Sequence, residues 1–178
     1  ASAIIAEGEV HQWMTTNDLE TSLEAYLEVI EAKTAALFAA ACEVGAVVSD
    51  AGPEKEQALR NYGTYLGVAF QLVDDLLDYS ADQVALGKTI GDDFREGKMT
   101  LPIITAIQSA TPEEKEFWQR TVGETEQTSE DFDHALALVN KYKGLETTRQ
   151  SAIDYTVKAK DCLNQFEDSY VKTCLLEL

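Results

Sequence analysis

The chain has 178 residues, enough for about one domain with its own core. It carries 14 Lys and Arg against 32 Asp and Glu, a formal net charge of -18, which argues against nucleic acid or an anionic lipid surface as the main partner. With 45% hydrophobic residues spread along its length the acidity is not that of a disordered chain, and no run of about 18 apolar residues predicts a transmembrane helix.

The start has no basic region and turns acidic at Glu7 and Glu9, so it does not read as a signal peptide. Ala3, Ile4 and Ile5 read instead as an apolar helix already under way, as in a fragment of a longer fold. Asn17-Asp18 precedes a long periodic stretch in which Leu19, Leu23, Tyr26, Leu27, Ile30, Leu37, Phe38, Ala41 and Val44 mark one apolar helix face. Ser49 to Gly52 ends it. Pro53 then opens a second helix at a first-turn position, with Glu54 and Glu56 behind it, running to about Tyr79. Ser80 to Gly97 breaks the pattern with Gly87, Gly91 and Gly97, and a connection of that length in a compact domain suggests function.

A helix resumes near Met99, with Pro102 close to its start. Thr111-Pro112-Glu113-Glu114 is a capping box for the next, short one. Ser129 is expected to cap a helix through Phe132, Leu136 and Val139, which Gly144 breaks. A last helix is predicted from about Leu145 past Ile153, Val157, Cys162, Phe166 and Tyr170. No strand pattern competes, so the fold class is all-α, in a single helical domain over 1–178. Cys42, Cys162 and Cys174 have no metal-ligand spacing and leave an odd count, which predicts buried apolar thiols in a reduced, cytoplasmic setting.

Chemistry concentrates at the end of the second long helix, in Gly67-Val68-Ala69-Phe70-Gln71-Leu72-Val73-Asp74-Asp75-Leu76-Leu77-Asp78. Asp74 and Asp78 lie one turn apart on one face, with Asp75 a step round. Three carboxylates there repel one another, and they sit at the helix end where negative charge is disfavoured. A divalent cation relieves that conflict, and Mg2+ characteristically takes one or two carboxylates plus phosphate oxygens and water. The alternative is a solvated acidic helix end. Cations are scarce in this chain, yet Lys88, Arg95 and Lys98 follow the triplet, and Lys33-Thr34 falls in the middle of the first long helix. Lysine suits phosphate as a point charge. Taken alone, Lys33 reads rather as a surface partner of Glu28 or Glu31.

Four blocks occur in order: Lys33-Thr34, Gly67 to Asp78, Gly87-Lys88, and Gly91 to Pro102. Together they are similar to the C-terminal half of trans-prenyl diphosphate synthases, the match being firm over roughly residues 8–105. The resemblance implies an antiparallel helical bundle of the isoprenoid synthase type around an apolar cavity, with Asp74 to Asp78 at its mouth. It implies that Asp74 is the principal Mg2+ ligand, with Asp75 and Asp78 as companions acting partly through metal-bound water. By the same resemblance Lys33, Lys88 and Lys98 contact the allylic diphosphate, and Thr34 and Gln71 face the developing allylic cation. Asp92 and Asp93 resemble residues that orient the basic groups. Phe70 resembles an aromatic wall beside the prenyl tail, with ordinary core packing as the other reading. Arg95, Glu96, His11 and His134 receive no role.

The implied substrates are an allylic prenyl diphosphate and isopentenyl diphosphate, and the implied assembly is a homodimer. The blocks resemble octaprenyl and decaprenyl synthases more than farnesyl synthases, which points to a ubiquinone-type side chain; a geranylgeranyl-type product stays open. The family's first aspartate-rich motif has no counterpart here, so the 178 residues alone are expected to be inactive. A non-catalytic partner subunit, a terpene cyclase and an unrelated acidic helical binding module are the competing readings.

Overall fold

The structure is a computed structural model that describes residues 2–80 and 90–178, and those residues contain helices, turns and no strand. In chain order come α1 (Ser2–Thr15), α2 (Leu23–Ile30), a π-helical turn (Glu31–Ala35), α3 (Ala36–Val48) and α4 (Pro53–Leu77). A short α5 (Asp92–Arg95) precedes α6 (Leu101–Gln108), α7 (Pro112–Trp118) and a second π-helical turn (Gln119–Gly123). They are succeeded by α8 (Asp131–Lys141), α9 (Gly144–Cys162), a 3-10 turn (Leu163–Gln165) and α10 (Tyr170–Glu177).

α4 is the spine. It starts at Pro53, as its sequence predicts, and packs on α3 along one side and α9 along another. Gly63 makes the first of these approaches possible, because a Cβ there would lie 2.8 Å from the Ala39 Cα, and Gly67 does the same against the π-helical turn, 2.6 Å from the Ala35 Cα. The main core gathers Val68 and Leu72 of α4, Leu101, Ile103, Ile104 and Ile107 of α6, and Phe94, Trp118 and Val139 around them. The Thr111 capping box forms, with Glu114 reaching back to the Thr111 N–H at 2.8 Å. No helix among the described residues is long and apolar enough to cross a membrane.

Several expected boundaries move, each for a local reason. The first long helix begins at Leu23 and not at Leu19. The Asp18 carboxylate takes the Glu20 N–H at 3.0 Å, a turn that competes with helix, and Ser22 accepts the Ala25 N–H at 3.1 Å as the actual cap. The helix is also not uniform, because Ala36 N–H bonds back to the Glu31 carbonyl across the π-helical turn. One extra residue rotates the rest of the helix by about 100°. Leu37 and Val44, expected on the apolar face of Tyr26 and Ile30, therefore face outward, and Ala35, Ala39 and Ala46 are buried instead.

Ser129 is not the cap of α8. That helix starts at Asp131, whose carboxylate accepts the Thr128 N–H at 2.7 Å and a two-pronged pair from Arg120 at 2.8 and 2.9 Å. The last helix does not run past Tyr170. It ends at Cys162, Phe166 is extended, and Ser169 caps α10 by accepting the Lys172 N–H at 3.1 Å. The break lets α10 fold back on α4, where the Tyr62 hydroxyl donates to the Leu175 carbonyl at 2.7 Å. Ile153 and Val157 consequently face outward, while Thr148, Ala152 and Ala159 form the contact side of α9. The thiols also depart from expectation: Cys42 and Cys162 are half-buried and Cys174 is exposed.

Candidate active site

The C-terminal turns of α4, the π-helical turn, α1 and the strand-free segment from Asp93 to Thr100 enclose a cleft of about 190 Å³. Lys33, Thr34, Gln71, Asp74, Asp75, Asp93 and Lys98 line it. Residues from four separate stretches of the sequence thus meet at one place. Lys88 lies outside the described residues. The π-helical turn falls on Lys33 and Thr34 themselves; such turns recur where a helix must re-aim side chains.

The three acids of the motif occupy three different environments. Asp74 faces the cleft, is exposed, and takes only a long contact of 3.3 Å from the Gln71 amide. Asp75 is 3% exposed; one oxygen accepts the Tyr26 hydroxyl at 2.6 Å and the other the Gln71 amide nitrogen at 2.9 Å. Burial pushes Asp75 up to about 7 against the opposing pull of those two donors. Asp78 is buried and turned away, its oxygens accepting the backbone N–H groups of Asp92 and Asp93, each at 3.1 Å. Burial, reinforced by the charge of Asp93, raises it to about 6.

The cations are already engaged. Lys33 donates to Gln12 at 2.6 Å and sits 3.2 Å from Glu9, so its partners come from α1 and not from Glu28 or Glu31. Lys98 sits 3.0 Å from Asp93 and 2.8 Å from Glu96. Burial works to lower Lys98, but its hydrogen bonds to Glu96 and Asp93 prevail and hold the ammonium above its ordinary range. Burial raises Asp93 in spite of Lys98. Asp93 thus pairs with Lys98, while Asp92 meets Arg95 at 2.8 Å. Glu96, expected to be a mere surface residue, is the second partner of Lys98.

Thr34 donates to the Gln71 amide oxygen at 2.9 Å, which joins the two residues expected to face a cation. Phe70 is 56% exposed against Phe38, at 5.5 Å between ring centroids, so core packing does not hold for it among the described residues. His134 stacks edge-on against Phe117 at 4.5 Å, away from the cleft. Four polar lining residues went unrecognised as site residues in the sequence: Gln12, Thr15, Tyr26 and Thr100. Tyr26 counts there as one more apolar position. The available signal was the buried Asp75 on an apolar helix, which demands a donor from elsewhere.

No set of three or more acidic, histidine or cysteine side chains among the described residues forms a cage for a metal ion. Asp74 supplies a single open carboxylate opposite two lysines. That donor set fits a hard cation shared with phosphate oxygens, and not one enclosed by protein alone.

The fold is all-helical, with Asp74, Lys33 and Lys98 lining one cleft, and the proteins it resembles are prenyl synthases. The polyprenyl synthetase family profile matches residues 1–139, so the chain belongs to that family. It is 43% identical over 175 residues to the octaprenyl diphosphate synthase of Escherichia coli K12, covering 98% of this chain and 54% of that protein. Its structure is similar to a decaprenyl diphosphate synthase from Rhodobacter capsulatus, with TM-score 0.94, 45% identity, and 99% and 54% of the two chains covered. It is also similar to a polyprenyl synthase from Caulobacter crescentus CB15 solved with calcium and isoprenyl diphosphate, with TM-score 0.94, 50% identity, and the same 99% and 54% coverage. The chain thus spans about half the length of the relatives it matches.

Proposed function

We propose that the protein carrying this chain condenses an allylic prenyl diphosphate with isopentenyl diphosphate, extending it to a long-chain polyprenyl diphosphate. The observation that supports this best is Asp74, open to the cleft between Lys33 and Lys98. A diphosphate placed there alone meets the charge of Asp74, Asp75 and Asp93. Asp74 would hold a Mg2+ ion there, whose charge would offset that of the acids toward a diphosphate. When bound, Mg2+ neutralises charge that builds on the departing diphosphate.

The residues of this chain do the rest. Lys33, Lys88 and Lys98 contact the allylic diphosphate and stabilise it as it leaves, Lys33 giving up Gln12 and Glu9 to do so. Asp93 and Glu96 keep Lys98 aimed and protonated. As the carbon–oxygen bond breaks, the oxygens of Thr34 and Gln71 face the allylic cation. The double bond of isopentenyl diphosphate attacks the cation, and a proton passes from the new adduct to the released diphosphate. No histidine is required. Identity with octaprenyl and decaprenyl synthases supports a long product of the ubiquinone side-chain type and, by the same analogy, a homodimer that needs no membrane span.

The test is product analysis. The complete protein encoded by the reading frame is incubated with farnesyl diphosphate, labelled isopentenyl diphosphate and Mg2+, beside its Asp74→Ala variant and the 178-residue chain. Long products from the wild type alone are expected. Chains that stop at geranylgeranyl length would reassign the branch. A complete protein that binds pyrophosphate with Mg2+ yet extends nothing would be a non-catalytic partner subunit.

A further inference from the structure

We propose that Tyr26 is a positioning residue of this site: through Asp75 it fixes the orientation of the Gln71 side-chain amide, so that an oxygen and not an NH2 group is presented toward Thr34 and the cleft. The proposal rests on the functional reading above.

Tyr26 on α2 and Asp75 on α4 are 49 positions apart, each 3% exposed, and their oxygens lie 2.6 Å apart. A phenol donating to a carboxylate at that distance is a strong, charge-assisted bond. The second Asp75 oxygen takes the Gln71 Nε2 at 2.9 Å. With Oδ2 accepting the Tyr26 hydroxyl and Oδ1 accepting the Gln71 Nε2, Asp75 meets the nitrogen side of the Gln71 amide. The Gln71 Oε1 is then forced to the opposite side, where it accepts the Thr34 hydroxyl at 2.9 Å. Tyr26, Asp75, Gln71 and Thr34 form one directed chain from the core to the cleft.

The direction has chemical weight. A carbonyl dipole with its oxygen outward stabilises positive charge, and the same amide turned by about 180° opposes it. Without the Tyr26 hydroxyl, nothing holds Asp75 Oδ2, the carboxyl group is free to rotate about its Cβ–Cγ bond, and the contact from Oδ1 that fixes the Gln71 amide is released. Asp75 accordingly acts as an anchor, lining the cleft at only 3% exposure while Asp74 beside it is exposed. A purely structural pair has no need of this arrangement, since apolar residues of similar volume serve a core as well or better.

The experiment is a double-mutant cycle in the complete protein with two readouts. Tyr26→Phe is expected to lower kcat for prenyl transfer at least about tenfold while KM for the allylic diphosphate stays within about threefold, because the lysines and Asp74 are untouched. Asp75→Leu is expected to lower kcat similarly, and Tyr26→Phe added to Asp75→Leu to lower it no further. The second readout is nuclear magnetic resonance of the Gln71 side-chain NH2 group, assigned by its loss in Gln71→Leu. Its signals should shift and exchange faster with water in Tyr26→Phe. Multiplying effects in the cycle, or unmoved Gln71 signals, overturn the proposal. A wild-type protein that makes no prenyl product brings down the functional reading, and with it the effect on kcat; the Gln71 signals still decide whether Tyr26 orients the amide.

Discussion

Asp78 receives the N-terminus of α5: its Oδ1 accepts the Asp92 N–H and its Oδ2 the Asp93 N–H, each at 3.1 Å. The Asp78 carbonyl adds a third bond, from the Gly91 N–H at 2.8 Å. The last acid of the motif is thus a bracket for the segment that carries Asp93 and Lys98. Asp78→Ala removes both carboxylate acceptors and is expected to cost about 1–3 kcal/mol of stability. It should also weaken Mg2+-dependent pyrophosphate binding by releasing Lys98. Urea unfolding and calorimetric titration check this, and an unchanged midpoint would show that α5 is held by other contacts.

Neighbouring acids should part company under mutation. Asp74 is exposed and barely bonded, so Asp74→Ala is expected to change stability by no more than about 0.5 kcal/mol. Its loss should abolish Mg2+-dependent pyrophosphate binding. Asp75→Ala strands the buried Tyr26 hydroxyl and is expected to cost about 2–4 kcal/mol. Thermal melts beside binding isotherms read both. Equal destabilisation by the two changes would contradict the division of roles.

Asp75 and Asp78 bind a proton more tightly folded than unfolded, burial having raised them from 3.8 to about 7 and about 6. Their ionisation equilibria therefore favour the fold fully below pH 3.8, and that contribution is lost as pH rises through 6 and 7. In chelator-treated protein, the melting temperature of the wild type should fall relative to Asp75→Asn between about pH 4 and pH 8. Glu114 acts in the opposite sense. Hydrogen bonds from Lys141 and Tyr142 hold it down to about 2, so its contribution, present above 4.5, disappears as pH falls through 2. Parallel pH profiles for wild type and Asp75→Asn would count against a perturbed Asp75.

Two glycines frame the cleft for different reasons. At Gly67 a Cβ would meet the Ala35 backbone, so Gly67→Ala must push the π-helical turn and α4 apart, at an expected cost of about 1–3 kcal/mol. The shift also separates Thr34 from Gln71, and prenyl transfer should drop with stability. Gly91 has φ +80 and the Phe132 ring against it, so Gly91→Ala meets both backbone strain and a clash. That change should loosen α5 and reproduce the binding loss of Asp78→Ala. Melting curves and pyrophosphate titrations of both variants test this; wild-type values in either would refute the close approach.

Much of the architecture was legible in the residues. Pro53 at the first turn of α4, the Thr111 capping box and the acidic end of α4 are local chemistry, and local chemistry is written in neighbouring letters. Boundaries failed where a side chain found a better local bond, as at Asp18, or where a distant segment intervened, as where α10 folds back on Tyr62. The outward turn of Leu37 and Val44 could not be foreseen, because a π-helical turn changes the phase of a periodic face while leaving the pattern of letters intact.

The sequence by itself determined that the chain is helical, and it singled out Asp74, Asp75, Asp78, Lys33, Lys88 and Lys98 as the expected site residues. Periodicity and charge spacing act within a turn or two of one helix. Only the tertiary structure decided how three similar acids divide their work: Asp74 toward the cleft, Asp75 onto Tyr26, Asp78 onto the α5 backbone. A carboxylate is defined by the donors and the dielectric around it, and for Asp75 and Asp78 those come from elements far away in the chain, brought there by packing on α4.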